Sequence, residues 1–283
     1  MNQLYNILNI SKQAVYQYNE RQFIFDQKIE CLLIEVQELR AEHPGCGVEK
    51  MYDTLQPDFI GRDRFIDVFM DLGFRLKTHI NYRRTTFSGK LYYPNLIQSL
   101  SIYAPSMVWQ SDITYIYVDG KFYYAVFIID VYTKKIVGHQ LSNHMRATAN
   151  MKAIEMAFKD NEPPMIHHSD RGGQYIYKEY IQFLKSNKSQ ISMGLSAQDN
   201  AYAERINKTI KEEYLDYWKP KTYQELKKFV DKAVNHYNSV RPHNNIGKLS
   251  PINFEKKWHE NSLKSKPIFT IFDYDKYLEI GQH

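Results

Sequence analysis

The stretch MVWQSDITYIYVDGKFYYAVFIIDVYTKKIVGHQL, Met107–Leu141, decides the fold. Met107–Val118 and Lys121–Tyr132 are rich in Val, Ile, Tyr and Thr, residues that suit a pleated, half-buried surface. Asp119–Gly120 between them is a strong hairpin signal, because a two-residue turn there needs positive φ at both central positions. Lys135–Leu141 supplies a third strand. The period then changes. Ala149, Met151, Ala153, Met156 and Ala157 mark a helix over Arg146–Lys159, followed by a short strand at Met165–His168. A helix over Tyr177–Ser186, a fifth strand over Gln190–Leu195 and a helix over Asn200–Tyr217 complete the series.

That order, β-β-β-α-β-α-β-α, is the plan of the ribonuclease H-like fold: an α/β core with a mixed five-stranded sheet and flanking helices. Upstream the pattern is helical. Residues 1–22 read as two short helices around a turn near Asn9–Ser11, with Ser11 as an N-cap. A long helix follows from about Phe23 to Glu42, with Phe25, Ile29, Leu32, Leu33, Val36 and Leu39 on one face, and HPGCG (His43–Gly47) breaks it. Two more helices are expected, Val48–Leu55 and Arg62–Leu72, the second burying Phe65, Ile66, Val68, Phe69 and Leu72 and ending at Gly73. This pair reads either as a helix-turn-helix that presents Arg62 and Arg64 to DNA or as a plain packing module. The expected domains are a helical region with a basic linker (1–95), the core (96–217), and a C-terminal helix and tail packed on it (218–283).

The chain has 283 residues, 43% hydrophobic and 14% aromatic, enough for a substantial core, and a net charge of +5. Its charge is unevenly spread. No acid stands between Leu72 and Ser111, whereas Arg75, Lys77, Arg83, Arg84 and Lys90 all do, a stripe suited either to phosphates or to solvent. Cys31 and Cys46 form no CxxC pair, which speaks against a zinc module and sets a reducing cytoplasm as the expected location. The N-terminus lacks the features of a secretory signal. The longest apolar stretch, around Tyr123–Tyr132, is interrupted by Asp130 and far too short for a membrane span.

Three carboxylates stand in distinctive contexts. Asp112 lies inside the first strand, Asp170 follows a strand and precedes Arg171–Gly172–Gly173, and Glu204 rides a helix. A carboxylate inside a sheet is costly to bury unless it is paired or bound to a metal. Carboxylate oxygens suit Mg²⁺ or Mn²⁺, and two such ions about 3.5–4 Å apart can activate an attacking oxygen and stabilise a leaving one. Asn207, Lys208 and Lys211 follow Glu204 at helical spacing, either as a metal-and-DNA face or as a solvated Glu–Lys face. His167, His168 and Arg171 beside Asp170 read as phosphate contacts or as hydrogen-bonded structural groups. Asp130 reads as a turn or salt-bridge residue.

Five motifs in order carry a resemblance: WQSDITYI, IIDVYTKKIVGH, HSDRGGQY, DNAYAERINKTIK and YNSVRPHNNIGKLSP. Together, over about residues 45–257, they resemble the DDE transposases of bacterial insertion sequences, in particular the second-frame (OrfB) proteins of the IS-three family. That family shares its core with retroviral integrases. The resemblance implies a catalytic and metal-binding triad of Asp112, Asp170 and Glu204, with Asp112 bridging two Mg²⁺ or Mn²⁺ ions. It implies cleavage at the element end and transfer of the freed 3′-hydroxyl to target DNA. It also makes Lys211 the basic residue seven positions after the glutamate, and Arg241 and His243 part of a C-terminal signature that packs on the core and helps hold DNA. Lys208, Arg171, Arg62, Arg64, Arg83 and Arg84 complete the expected DNA contacts. A homo-oligomer on DNA, and fusion or partnership with an upstream-frame protein, belong to the same expectation. One departure stands out: 33 residues separate Asp170 from Glu204, where the family usually has about 35, so Ser192–Asn200 is two short. The alternatives are a regulatory DNA-binding protein without catalysis and a ribonuclease H-like nuclease.

Overall fold

The computed structural model describes residues 11–76, 93–194 and 197–271. The described residues form two compact units that divide between Arg75 and Leu76. Residues 218–271 belong to the same unit as the sheet.

The first unit contains α1 (Lys12–Glu42), α2 (Val48–Leu55) and α3 (Arg62–Phe69). Ser11 caps α1 by accepting the Ala14 N–H at 3.0 Å. The expected break near residue 22 is absent: α1 is one helix of 31 residues, because no Gly or Pro between Lys12 and Glu42 interrupts it. The turn expected at Asn9–Ser11 falls largely outside the described residues. Leu32, Val36 and Leu39 of α1 pack with Met51, Phe65 and Phe69 in a buried cluster. Helix α3 stops at Phe69 and widens into a π turn, Met70–Phe74, that closes on Gly73 at φ 89°. Leu72, expected in the core, is therefore rotated outward and 49% exposed.

In the second unit β1 (Ser101–Ile102) precedes the main sheet, which is ordered β4-β3-β2-β5-β6. Strands β2 (Val108–Val118), β3 (Lys121–Asp130) and β4 (Ile136–Ser142) are antiparallel. Strands β5 (Ile166–Ser169) and β6 (Gln190–Met193) join the other side of β2 in parallel. The turn between β2 and β3 has φ 50° at Asp119 and 72° at Gly120, the two positive values that the dipeptide suggests. Alternation along β3 fills two cores. Val126 and Ile128 pack with α4 (Ala147–Asp160) and α5 (Lys178–Ser186), whereas Ala125, Phe127 and Ile129 pack with α6 (Ala201–Ile210) and α7 (Tyr223–Ser239). After α6 the chain runs through a π turn, Lys211–Leu215, into Asp216–Trp218. Helix α8 (Pro251–His259) follows α7, and β7 (Phe269–Thr270) pairs antiparallel with β1. That ribbon has two residues per strand, too few to leave a periodic signal. Among the described residues no helix is long and apolar enough to cross a membrane.

Candidate active site

The parallel register of β2 and β5 pairs Ser111 with Ser169, so the next residues, Asp112 and Asp170, emerge side by side. Glu204 comes from the first turn of α6, whose N-terminal end favours negative charge. All three acids sense one another. Burial pushes the Asp112 carboxyl up to about 7, with Asp170 and then Glu204 adding to the rise. The N–H of Ile113 and the side chain of Asn207, whose Nδ2 donates to Asp112 Oδ2 at 2.7 Å, oppose it. Asp170 is raised by burial, against a 3.0 Å bond from the Gly172 N–H to its Oδ1. Glu204, the exposed member, is raised by partial burial and by Asp170.

Among the described residues none of these acids has a cationic side-chain partner. Three mutually repelling carboxylates with hard oxygens make a donor set that fits a divalent cation. Their oxygens are not yet gathered: among the described residues no three His, Cys, Asp or Glu side chains already converge on one cation position. Asn207 and the Gly172 N–H each hold one carboxylate oxygen, and Glu204 lies at the surface.

The other expected residues divide into groups. Lys208 is partly exposed, 3.9 Å from Glu212, and Lys211 opens the π turn. Arg171 is partly buried next to Asp170. In the first unit Arg62 pairs with Glu49 at 2.7 Å and Asp63 at 2.9 Å, and Arg64 lies over the Phe25 ring at 4.1 Å. Arg83 and Arg84 fall outside the described residues. Arg241 is internal: its side chain is only 7% exposed and makes a bidentate pair with Glu213, at 2.7 and 2.8 Å. His243 packs edge-on against Tyr237 beside that pair. The two histidines before Asp170 are also internal. Burial pushes His167 down to about 3 and His168 down to about 4, and they bond Tyr180 Oη and Ser192 Oγ. Asp130 accepts the N–H groups of Ser106, Tyr132 and Thr133, as befits a turn residue.

Sequence reasoning missed Gln110. Its amide is fully buried and joins β2 to the start of α6, accepting from Tyr202 N–H at 3.0 Å and donating to the Asp199 carbonyl at 3.1 Å. It also missed that Asn200 Nδ2 donates to the Ser111 carbonyl, and that Ser111 Oγ meets Tyr175 Oη at 2.9 Å. The adjacency of Gln110 to Asp112 was the only available signal, and it does not reveal a partner 92 residues away.

Comparison with known proteins gives the family of the chain and the class of its fold. Models of the integrase core domain match residues 103–197 and 187–251. An uncharacterized 31 kDa protein of insertion element IS600 from Shigella sonnei is 34% identical over 209 residues, covering 71% of this chain and 77% of that protein. The transposase InsF of insertion sequence IS3A from Escherichia coli is 31% identical over 158 residues, 54% of this chain and 55% of that transposase, so the chain spans about half its length. In the simian T-cell lymphotropic virus intasome bound to a PP2A regulatory subunit, one chain superposes with a TM-score of 0.52 at 14% identity, covering 64% of each chain. That likeness speaks to the fold, which is the ribonuclease H-like plan expected from the strand order. The chain belongs to the family of insertion-sequence transposases with an integrase core, the family that its five motifs resemble.

Proposed function

We propose that the chain is a DNA transposase that cuts and joins strands at an insertion-sequence end by divalent-metal-dependent phosphoryl transfer. One observation carries this reading. Three carboxylates come together from β2, the end of β5 and α6: Asp170 and Glu204 both raise the proton affinity of Asp112, Asp170 raises that of Glu204, and none has a cationic partner among the described residues. Mg²⁺ or Mn²⁺ held by Asp112, Asp170 and Glu204 would sharpen the attacking oxygen and stabilise the leaving one. Asp112 would be the central one of the three in holding the metal, because both other acids act on it. Asn207 orients it through the 2.7 Å bond. In the joining step the 3′-oxygen of the element end forms a bond to a target phosphorus as the target's own P–O3′ bond breaks. The attacking hydroxyl gives up its proton and the released target 3′-oxygen gains one, so the reaction needs no oxidant and no covalent protein intermediate.

Element-end and target DNA are the partners in this reading. Lys208, Lys211 and Arg171 flank the acids and supply backbone contacts, with Arg62, Arg64, Arg83 and Arg84 adding grip from the N-terminal part. His243 is left to structural work with Arg241. The protein acts as an oligomer on DNA, alone or joined to an upstream-frame protein, in the cytoplasm of a bacterium.

The test replaces each acid in turn. Asp112→Asn, Asp170→Asn and Glu204→Gln are expected to bind an element-end duplex with near-normal affinity and to join it to a target plasmid at least ~10³-fold more slowly. Any variant that still joins at the wild-type rate removes that acid from the triad.

A further inference from the structure

We infer that Gln110 is a positioning residue that seats the helix carrying Glu204 on the strand carrying Asp112, and thereby fixes the spacing of the acid cluster. Gln110 precedes Asp112 by two positions on β2, so both point to the same face of the sheet, the face that receives α6. A helix start leaves its first N–H groups without internal partners, and a side chain just before the helix ordinarily satisfies them. Here the residue in that place does not. Asn200 makes no side-chain cap, and its amide reaches sideways to the Ser111 carbonyl at 2.9 Å.

The cap comes from the strand instead. Gln110 Oε1 accepts from the N–H groups of Tyr202 at 3.0 Å and Ala203 at 3.4 Å, while Nε2 donates to the Asp199 carbonyl at 3.1 Å. Glu204 is the next residue after Ala203. One turn further on, Asn207 reaches back to Asp112 Oδ2 at 2.7 Å. The backbone at Glu204 is thus pinned to β2 on both sides, by Gln110 before it and Asn207 after it. The side-chain bonds of Gln110 go to the backbone of Asp199, Tyr202 and Ala203 and to none of the three acids, so its influence passes through the placement of Glu204. A fully buried amide with both ends engaged tolerates little displacement, which makes it a stiff spacer.

The inference rests on the proposed metal chemistry, and its test reads metal affinity directly. Mn²⁺ binding to the full chain without DNA would be measured by paramagnetic resonance for wild type, Gln110→Leu and Gln110→Met, with Ile154→Val on the opposite side of the sheet as a control for lost stability. The unbranched Met variant carries the test should Leu prevent folding. Both Gln110 variants are expected to lose about 10–100-fold in Mn²⁺ affinity, with duplex binding in EDTA within about twofold of wild type. The control is expected to keep its Mn²⁺ affinity even at a lower melting temperature. Unchanged Mn²⁺ affinity in the Gln110 variants, with or without a lower melting temperature, overturns the inference and leaves the function standing. A wild-type protein that binds no Mn²⁺ overturns the function, and the inference with it.

Discussion

Without a cation, Asp112 keeps its proton up to about pH 7, because burial first, then Asp170 and Glu204, oppose its ionisation. Its folded pKa stands above the ordinary value of 3.8, so the folded state binds the proton more tightly than the unfolded chain does. The stability this contributes is complete below about pH 4 and is lost as pH rises through about 7; Asp170 and Glu204 shift in the same direction. In EDTA the melting temperature is therefore expected to fall between about pH 5 and pH 8, and Asp112→Asn to flatten that fall. Mg²⁺ is expected to raise the melting temperature more at the upper end than at the lower. Calorimetric scans across that range would check both, and a profile rising with pH would contradict them. At this scale the acids were legible because each sits in a recognisable local motif. Asn207 was legible as a position on the face of Glu204, but its bond to Asp112 was not, since nothing in a helix's periodicity states which strand it will meet.

At the scale of elements, the segment from Tyr237 to His243 acts as a clamp. Asn238 Oδ1 accepts the Ile136 N–H and its Nδ2 donates to the Ile136 carbonyl, both at 2.9 Å, so α7 is stitched to β4 through a side chain that imitates a strand. Arg241 then ties the end of α7 to Glu213 in the π turn after α6. Arg241→Met removes the bidentate guanidinium from a nearly buried Glu213 and is expected to cost about 3–5 kcal/mol in denaturant melts. Its DNA affinity per folded molecule is expected to stay unchanged; a specific loss of DNA binding at wild-type stability would restore the DNA-contact reading. Gly138 marks another close approach. A Cβ there would overlap the Ala153 carbonyl oxygen and come within 2.9 Å of Ala157 Cβ, so Gly138→Ala is expected to cost about 1–3 kcal/mol by pushing α4 off the sheet. The hairpin strands and their turn were readable from alternation and Asp119–Gly120. The single helix α1 and the early end of α3 were not, because continuity and a π turn depend on backbone geometry that apolar spacing does not encode.

For the molecule as a whole, the sequence divides labour between a small helical unit with exposed arginines and a larger unit that holds the acids. Phosphate contacts dominate affinity for DNA, so binding is expected to weaken steeply with salt. Replacing Lys208 and Lys211 together with Ala is expected to reduce the logarithmic salt slope by about 1–2. An unchanged slope in filter-binding titrations would remove both lysines from the interface. The fold class and family were legible because five motifs recur in order along one core. Which of their basic residues lie buried was not: Arg241 is the same letter whether it faces solvent or a nearly buried glutamate. The most direct test of the metal-dependent triad is the joining rate of Asp112→Cys in Mg²⁺ and in Mn²⁺, beside wild type. A thiolate is a poor ligand for Mg²⁺ and a better one for softer ions. If Asp112 holds the metal, wild type joins in both ions, whereas Asp112→Cys is silent in Mg²⁺ and regains part of its activity in Mn²⁺. Joining by Asp112→Cys at the wild-type rate in Mg²⁺ would contradict metal binding at Asp112 and the mechanism built on it.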